Sequence, residues 1–154
     1  PSPLAQCDPA TFRRIVDVNL VGAFNMLAEA ARRVADGGTI IALTTSMVRM
    51  AIPNAGPYVA TKAAVEVLVR SLSKELAGRR VRVNAVAPGW VVTNLSRGAR
   101  EDPERYANIM TRVPVGRWAE PPEIADPILF LCSQAARYMT GTVMLVDGGY
   151  TSVG

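Results

Sequence analysis

Apolar positions along the chain fall into two kinds of run. Phe12, Ile15, Val16, Leu20, Phe24, Leu27 and Ala31 recur at helical spacing, which predicts an amphipathic helix. Asp8-Pro9 opens it, with Asp as cap and Pro in the first turn, and Asp36-Gly37-Gly38 stops it after about Val34. Thr39-Ile40-Ile41-Ala42-Leu43-Thr44 has no polar alternation, which is how a strand covered on both faces reads; a strand is predicted over 39–45. Residues 46–56 contain Pro53, Asn54 and Gly56 and read as a loop. Pro57 starts a second helix that runs to Leu76 or Ala77 and ends at Gly78. Arg80 to Ala87 predicts another strand, closed by Pro88-Gly89. Residues 90–120 read as irregular, with one helical piece around Pro103 to Met110. Pro121-Pro122-Glu123 begins a third long helix continuing past Leu131, and Thr142 to Val146 forms the last strand before Asp147-Gly148-Gly149. Pro1-Ser2-Pro3 reads as a loop.

Long crossovers between apolar strands predict a parallel sheet with right-handed connections and helices on both faces. The expected fold class is α/β, with about three strands and flanking helices in a single domain over residues 1–154. The strand at 39–45 poses a physical problem. It is apolar on both faces, yet this chain offers it a neighbour on one side only, and a long apolar edge is an aggregation hazard. Three strands are also few for three long helices. The sequence is therefore expected to be part of a larger sheet.

Composition narrows the function classes. Apolar residues make up 49% and charged residues 19% of 154, a globular balance without the signature of disorder. The net charge of +4 rests almost entirely on arginines, Lys62 and Lys74 being the lysines. The arginines are scattered and no basic run is interleaved with aromatics, so no nucleic-acid partner is expected. Cys7 and Cys132 lie far apart, and there is no histidine. That excludes a His-containing zinc site and a Ser-His-Asp triad within this chain, and no metal site is expected. The two thiols are expected to be reduced in a cytoplasmic protein. No secretory leader pattern and no membrane-length apolar stretch is visible.

Four places carry candidate chemistry. Tyr58 and Lys62 stand four residues apart at the start of the second helix, hence one turn apart on one face. A free phenol titrates near pH 10; a neighbouring ammonium and a helix N-terminus both favour its ionised form. Lys62 can thus make Tyr58 a usable acid-base group, although such a pair alone is most often a surface contact. Thr45 and Ser46, 13 and 12 residues before Tyr58, end a buried strand, where hydroxyls either bind a substrate oxygen or merely satisfy backbone groups. Asn19, inside an apolar helix, either bends it and holds a water or bonds to a neighbouring strand. Finally, Asn84 to Thr93 leaves a strand at its carboxyl end, the side on which open parallel sheets bind ligands. The backbone at Val91 and the Thr93 hydroxyl could hold a carboxamide there; otherwise the segment is an ordinary turn.

Together these stretches resemble the short-chain dehydrogenase/reductase family in its classical subgroup, along essentially the whole chain. The matching stretches are V-D-V-N-L-V-G-A-F (16–24), T-I-I-A-L-T-T-S (39–46), P-Y-V-A-T-K-A-A-V (57–65), R-V-N-A-V-A-P-G-W-V-V-T (82–93) and T-G-T-V-M-L-V-D-G-G (140–149), in family order and spacing. The resemblance implies a partial Rossmann-type doubly wound sheet and an NAD- or NADP-dependent oxidoreductase interconverting a secondary alcohol and a ketone. The substrate would be of the 3-oxoacyl or the sugar and polyol kind. It implies that Tyr58 is the acid-base catalyst, that Lys62 lowers its pKa and binds the nicotinamide ribose, and that Asn19 holds a relay water. Pro88, Gly89, Val91 and Thr93 would line the nicotinamide. The family serine lies 13 residues before the tyrosine; Thr45 occupies that position and Ser46 follows it, so either hydroxyl could act. Residues 94–118 correspond to the variable substrate loop, which with Trp90, Tyr106, Met110 and Trp118 implies an apolar-leaning pocket. A homodimer or homotetramer through the long helices and the last strand is also implied.

The chain departs from the family in one large respect. The Gly-rich turn that binds the pyrophosphate and the Asn-Asn-Ala-Gly element have no counterpart in it. Gly37-Gly38 and Gly148-Gly149 lack the G-x-x-x-G-x-G spacing. The chain is expected to be the C-terminal part of such a domain and to be inactive by itself. The alternative is a non-catalytic remnant or binding module that does not hold the dinucleotide.

Overall fold

The computed structural model describes residues 3–152, so Pro1 and Ser2 of the expected opening loop lie outside the described residues. Strands β1 (Thr39–Leu43), β2 (Arg82–Pro88) and β3 (Val143–Val146) form a parallel sheet in that order. The register pairs Ile41 with Asn84 and Leu43 with Val86, and Ala85 with Val143. β2 is therefore central and β1 is an edge, the position the sequence pattern implied. The strand is shorter than its apolar run: the ladder ends at Leu43, and Ser46–Arg49 winds into a 3-10 turn.

The first predicted helix is α1 (Pro9–Val16) and α2 (Gly22–Arg33), joined through a π turn at Asp17–Val21. The Asp8 carboxylate caps α1 by accepting from the Thr11 N–H at 2.9 Å. The π turn falls where the sequence has its poor helix formers, Asn19 and Gly22. Helix α3 (Gly56–Glu75) follows, then α4 (Arg97–Arg100), which the sequence pattern did not predict, α5 (Pro103–Met110) and α6 (Pro121–Cys132).

Helices cover both faces of the sheet, as a doubly wound fold requires. On one face Leu27, Ile40, Val65, Val69, Val83 and Ala85 pack together from α2, α3 and the strands. On the other, Val86 meets Ile124 and Leu131 of α6, with Ile41 and Met144 beside them. Successive β2 residues thus point to opposite faces. A third cluster, with Ile109, Val113, Trp118 and Tyr150, closes the long loop. Three polar side chains fasten these layers. Buried Asn84 donates to the Met139 carbonyl at 2.8 Å and accepts from the Thr142 N–H at 3.1 Å. Arg82 caps the end of α6 at the Leu131 carbonyl, 2.7 Å away. Arg79 donates to the Ala31 and Val34 carbonyls and pairs with Asp36. It closes the end of α2 rather than of its own helix, a cation where a helix leaves unpaired carbonyls.

Candidate active site

The site forms where the carboxyl end of β1 meets the first turns of α3. Tyr58 and Lys62 project from one face of α3, and the Lys62 Nζ lies 5.9 Å from the centre of the Tyr58 ring. The segment after β1 supplies the hydroxyls. Thr45 is buried, accepts from the Met47 N–H at 3.4 Å to start the 3-10 turn, and faces the Tyr58 phenol. Ser46 is fully buried, and its hydroxyl has no hydrogen-bond partner among the described residues. Thr45 and Ser46, neighbours in sequence, thus occupy different environments, and Thr45 is the one brought to the tyrosine.

The electrostatics differ from what the Tyr-Lys spacing predicts. Burial pushes the Tyr58 phenol above its usual value, and the Thr45 side chain pulls it back only in part. The ammonium does not reverse this, because Lys62 Nζ donates to the Leu43 carbonyl at 3.3 Å, and burial lowers its own pKa. The Leu43 carbonyl is available for a topological reason. The Thr44 N–H bonds to Val86 on β2, so by strand alternation the groups of Leu43 point to the open edge.

Asn19 sits in the π turn, which packs against α3. Its side-chain amide donates to the Ile15 carbonyl at 3.1 Å. That bond turns it along its own helix and not onto Tyr58, Thr45 or Lys62. A π turn leaves backbone carbonyls with altered partners.

The segment after β2 is held by its own contacts. A Cβ on Gly89 would stand 2.7 Å from the Asp147 Cα, so glycine is required by the close approach of the chain after β3. Trp90 and Val92 bond to Ala119 through backbone groups; Val91 therefore directs its own N–H and C=O the other way. Its carbonyl accepts from the Ser96 hydroxyl at 2.6 Å. The Thr93 N–H donates to the same hydroxyl at 3.0 Å, and the Thr93 side chain is exposed. Ser96 escaped the sequence reading. The Thr-x-x-Ser spacing from Thr93, typical of side-chain-bonded turns, was the available signal.

Two cavities adjoin this region. One of about 470 Å3 lies beside the first turn of α3, walled by Met50, Ala51, Ile52, Pro53, Gly56 and Val59. The other, about 750 Å3, is bounded by Val92, Arg100, Tyr106, Arg117, Trp118, Glu120 and Glu123. Tyr106 and Trp118, expected to line a pocket in residues 94–118, do wall the larger cavity, together with charged residues, while the loop after β1 walls the smaller one. Tyr106 stacks on Trp118 at 5.8 Å, and Trp90 meets Trp118 tilted at 5.1 Å. Among the described residues no helix is long and apolar enough to cross a membrane, and no group of side chains is arranged to hold a metal ion.

The chain is similar to known proteins along nearly its whole length. Residues 1–151 match the profile of a family described as enoyl-(acyl carrier protein) reductase. The chain is 41% identical to galactitol 2-dehydrogenase (L-tagatose-forming) of Cereibacter sphaeroides, covering 95% of this chain and 59% of that protein. It is 38% identical to 2-dehydro-3-deoxy-D-gluconate 5-dehydrogenase of Pseudoalteromonas atlantica, covering 97% and 59%. The structure superposes on a gluconate 5-dehydrogenase from Burkholderia cenocepacia in complex with NADP and tartrate with a TM-score of 0.94 at 33% identity, covering 99% of this chain and 61% of that one. The chain therefore spans about three-fifths of the length of these relatives. With the five sequence stretches, the three-stranded parallel sheet and the Tyr58–Lys62 helix in place, these matches make the chain a member of the short-chain dehydrogenase/reductase family.

Proposed function

We propose that the protein containing this chain is an NAD(P)-dependent oxidoreductase that interconverts a secondary alcohol and a ketone, with polyols and sugar acids as its substrate class. The observation that carries the reading is the convergence of the Tyr58 phenol, the Thr45 hydroxyl and the Lys62 ammonium at the end of β1. The relatives act on polyols and sugar acids by name, which favours that class over a 3-oxoacyl substrate.

The residues fit the nicotinamide half of the cofactor. Tyr58 and Lys62 would hold the ribose, while the outward N–H and C=O of Val91 and the exposed Thr93 hydroxyl suit a carboxamide, next to Pro88 and Gly89. Hydride exchange with the substrate carbon is the chemistry that the nicotinamide supplies when bound. The chain's own groups handle the proton. The Thr45 oxygen accepts from Met47, and its O–H, directed toward the Tyr58 phenol, would turn to donate to the substrate oxygen. Burial keeps Tyr58 a neutral phenol near neutrality, the form that donates a proton to a ketone oxygen; alcohol oxidation runs the same transfer backwards. The pyrophosphate half finds no G-x-x-x-G-x-G turn in these 154 residues, and sequence beyond them would have to provide it. That feature favours a second reading, a non-catalytic module.

One titration separates the two. NADH and NADPH are added to the protein encoded together with its upstream sequence and, in parallel, to the 154-residue chain. The enzyme reading expects the longer protein to bind one of them and to turn over polyols, and Tyr58→Phe to lower kcat by about 100-fold or more. Failure of both proteins to bind either cofactor would favour the non-catalytic module. We also propose a homo-oligomer. Phe24 of α2 and Val67 of α3 are exposed, whereas Val65, also apolar on α3, is buried in the protein's own core. Elution as a monomer in size-exclusion chromatography would remove this proposal.

A further inference from the structure

Among the described residues, Glu66 is the one charged side chain in the buried set, 3% exposed. It follows Tyr58 and Lys62 at the next four-residue step along α3, so the three share one side of the helix. A carboxylate taken out of water is costly unless it is paired and hydrogen-bonded, and Glu66 is both. Its Oε1 lies 3.5 Å from the Thr44 hydroxyl, which also faces the Val86 carbonyl at 3.4 Å. Its Oε2 accepts from Arg49 Nη2 at 3.3 Å, with Arg70 Nη1 4.0 Å away. Thr44 and Arg49 bracket Thr45 and Ser46: one ends the β1 segment, the other ends the 3-10 turn. One side chain from α3 thus grips both ends of the segment that carries the candidate substrate-binding hydroxyl.

We propose that Glu66 is a positioning residue, a clamp that holds residues 44–49 against α3 and so fixes Thr45 opposite Tyr58. The proposal rests on the reading of Thr45 and Tyr58 as the reacting pair. Glu66 touches neither of them, and it acts by shortening the range of positions available to Thr45. Arg49 is its working partner on the exposed side, since its own side chain remains 45% exposed.

The test reads Tyr58 directly. Tyrosine is labelled with 13C in the protein encoded with its upstream sequence, Tyr58→Phe assigns the signal, and the phenol is titrated by NMR. In wild type the Thr45 contact draws the phenol downward against burial. Glu66→Gln releases Thr45, and the Tyr58 midpoint rises by about half a unit to one unit, the worth of one neutral hydrogen bond. Turnover then falls by about three- to tenfold with little change in cofactor KM. Arg49→Gln gives a smaller rise in the same direction, and Arg49→Lys restores the wild-type midpoint. A residue that served stability alone would lower the melting temperature and leave the Tyr58 midpoint in place. If Glu66→Gln does not fold, Arg49→Gln decides, because a half-exposed side chain is replaceable. Unchanged Tyr58 midpoints in every folded variant overturn the clamp. Should Tyr58→Phe retain full turnover, the acid-base reading fails, and the midpoints still show whether Glu66 sets the position of Thr45.

Discussion

Leu43 and Val86 are register partners in adjacent strands, yet Val86 is wholly buried and Leu43 is 51% exposed. Both lie in the carboxyl-terminal half of their strands and carry branched aliphatic side chains. The difference lies in their neighbours. β2 is bonded on both sides and covered by α3 and α6, whereas β1 is bonded on one side only. β1 therefore carries more apolar surface than this chain covers. The same open side frees the Leu43 carbonyl for Lys62 and sets the candidate reacting groups at the end of the less covered strand. Within this chain, the strand bonded on both sides stands behind the candidate site and supplies rigidity.

The sharpest way to break this comparison is to truncate both partners. Val86→Ala should cost about 2 kcal/mol or more, because its transfer energy is lost and a void is left between β2 and α6. Leu43→Ala should cost less than about 1 kcal/mol, since half its surface already meets water. Urea denaturation of the two variants of the 154-residue chain measures both. Equal losses would mean that β1 is covered in solution by something outside this sheet. Next in size is Asn84→Ala. It strands the Met139 carbonyl and the Thr142 N–H that Asn84 now satisfies, at a cost of about 1–3 kcal/mol. The Thr39 side chain of β1 makes no such hydrogen bond among the described residues, so an equally large loss from Thr39→Ala would contradict the contrast.

How far the sequence foretold this structure depends on the kind of signal. Periodicity located the long helices and three strands, because burial on one face or two writes itself into residue order. The edge position of β1 followed from the same source, as an apolar run with too few partners. The piece expected around Pro103 to Met110 is α5, and its start is capped by the Asp102 carboxylate, which accepts from the Arg105 N–H. The π turn was not legible as such: Asn19 and Gly22 announce weakness in a helix, not the shape it takes. Of the site, Tyr58 and Lys62 were visible as a spacing, but the direction of the Tyr58 shift was not, because burial and the pull of the Leu43 carbonyl on Lys62 are tertiary facts. The separation of Thr45 from Ser46 was hidden for the same reason. Glu66 and Ser96 went unread because a lone Glu or Ser on a helix or loop looks like solvated surface until the partner it meets is known.

Amide exchange gives a finer reading of the same contrast. The Thr44 N–H is bonded to Val86 and should exchange slowly, while the Leu43 N–H faces the open edge and should exchange faster, by about the ratio that separates local from global opening. A protected Leu43 amide would show that the edge is occupied in solution.

The smallest expected effect concerns the cover of β2 rather than the strand itself. α6 buries Ile124 and Leu131 against Val86, and its first turn is fixed by Glu123, which accepts from the Glu120 N–H at 2.8 Å and takes both arms of Arg117 at 2.6 and 2.7 Å. These bonds hold the Glu123 carboxyl at about 2, down from an ordinary 4.5. A carboxylate with a depressed folded pKa contributes stability that is fully present above its unfolded value and is lost as pH falls through the folded one. Wild type and Glu123→Gln should therefore differ in denaturation midpoint above about pH 4.5 and converge as the pH approaches 2. The group is exposed, so added salt should narrow the gap as well. A gap that persists at the acid end would show that Glu123 serves α6 through packing or hydrogen bonds that outlive its charge, and that the cover over β2 owes nothing to the ion pair.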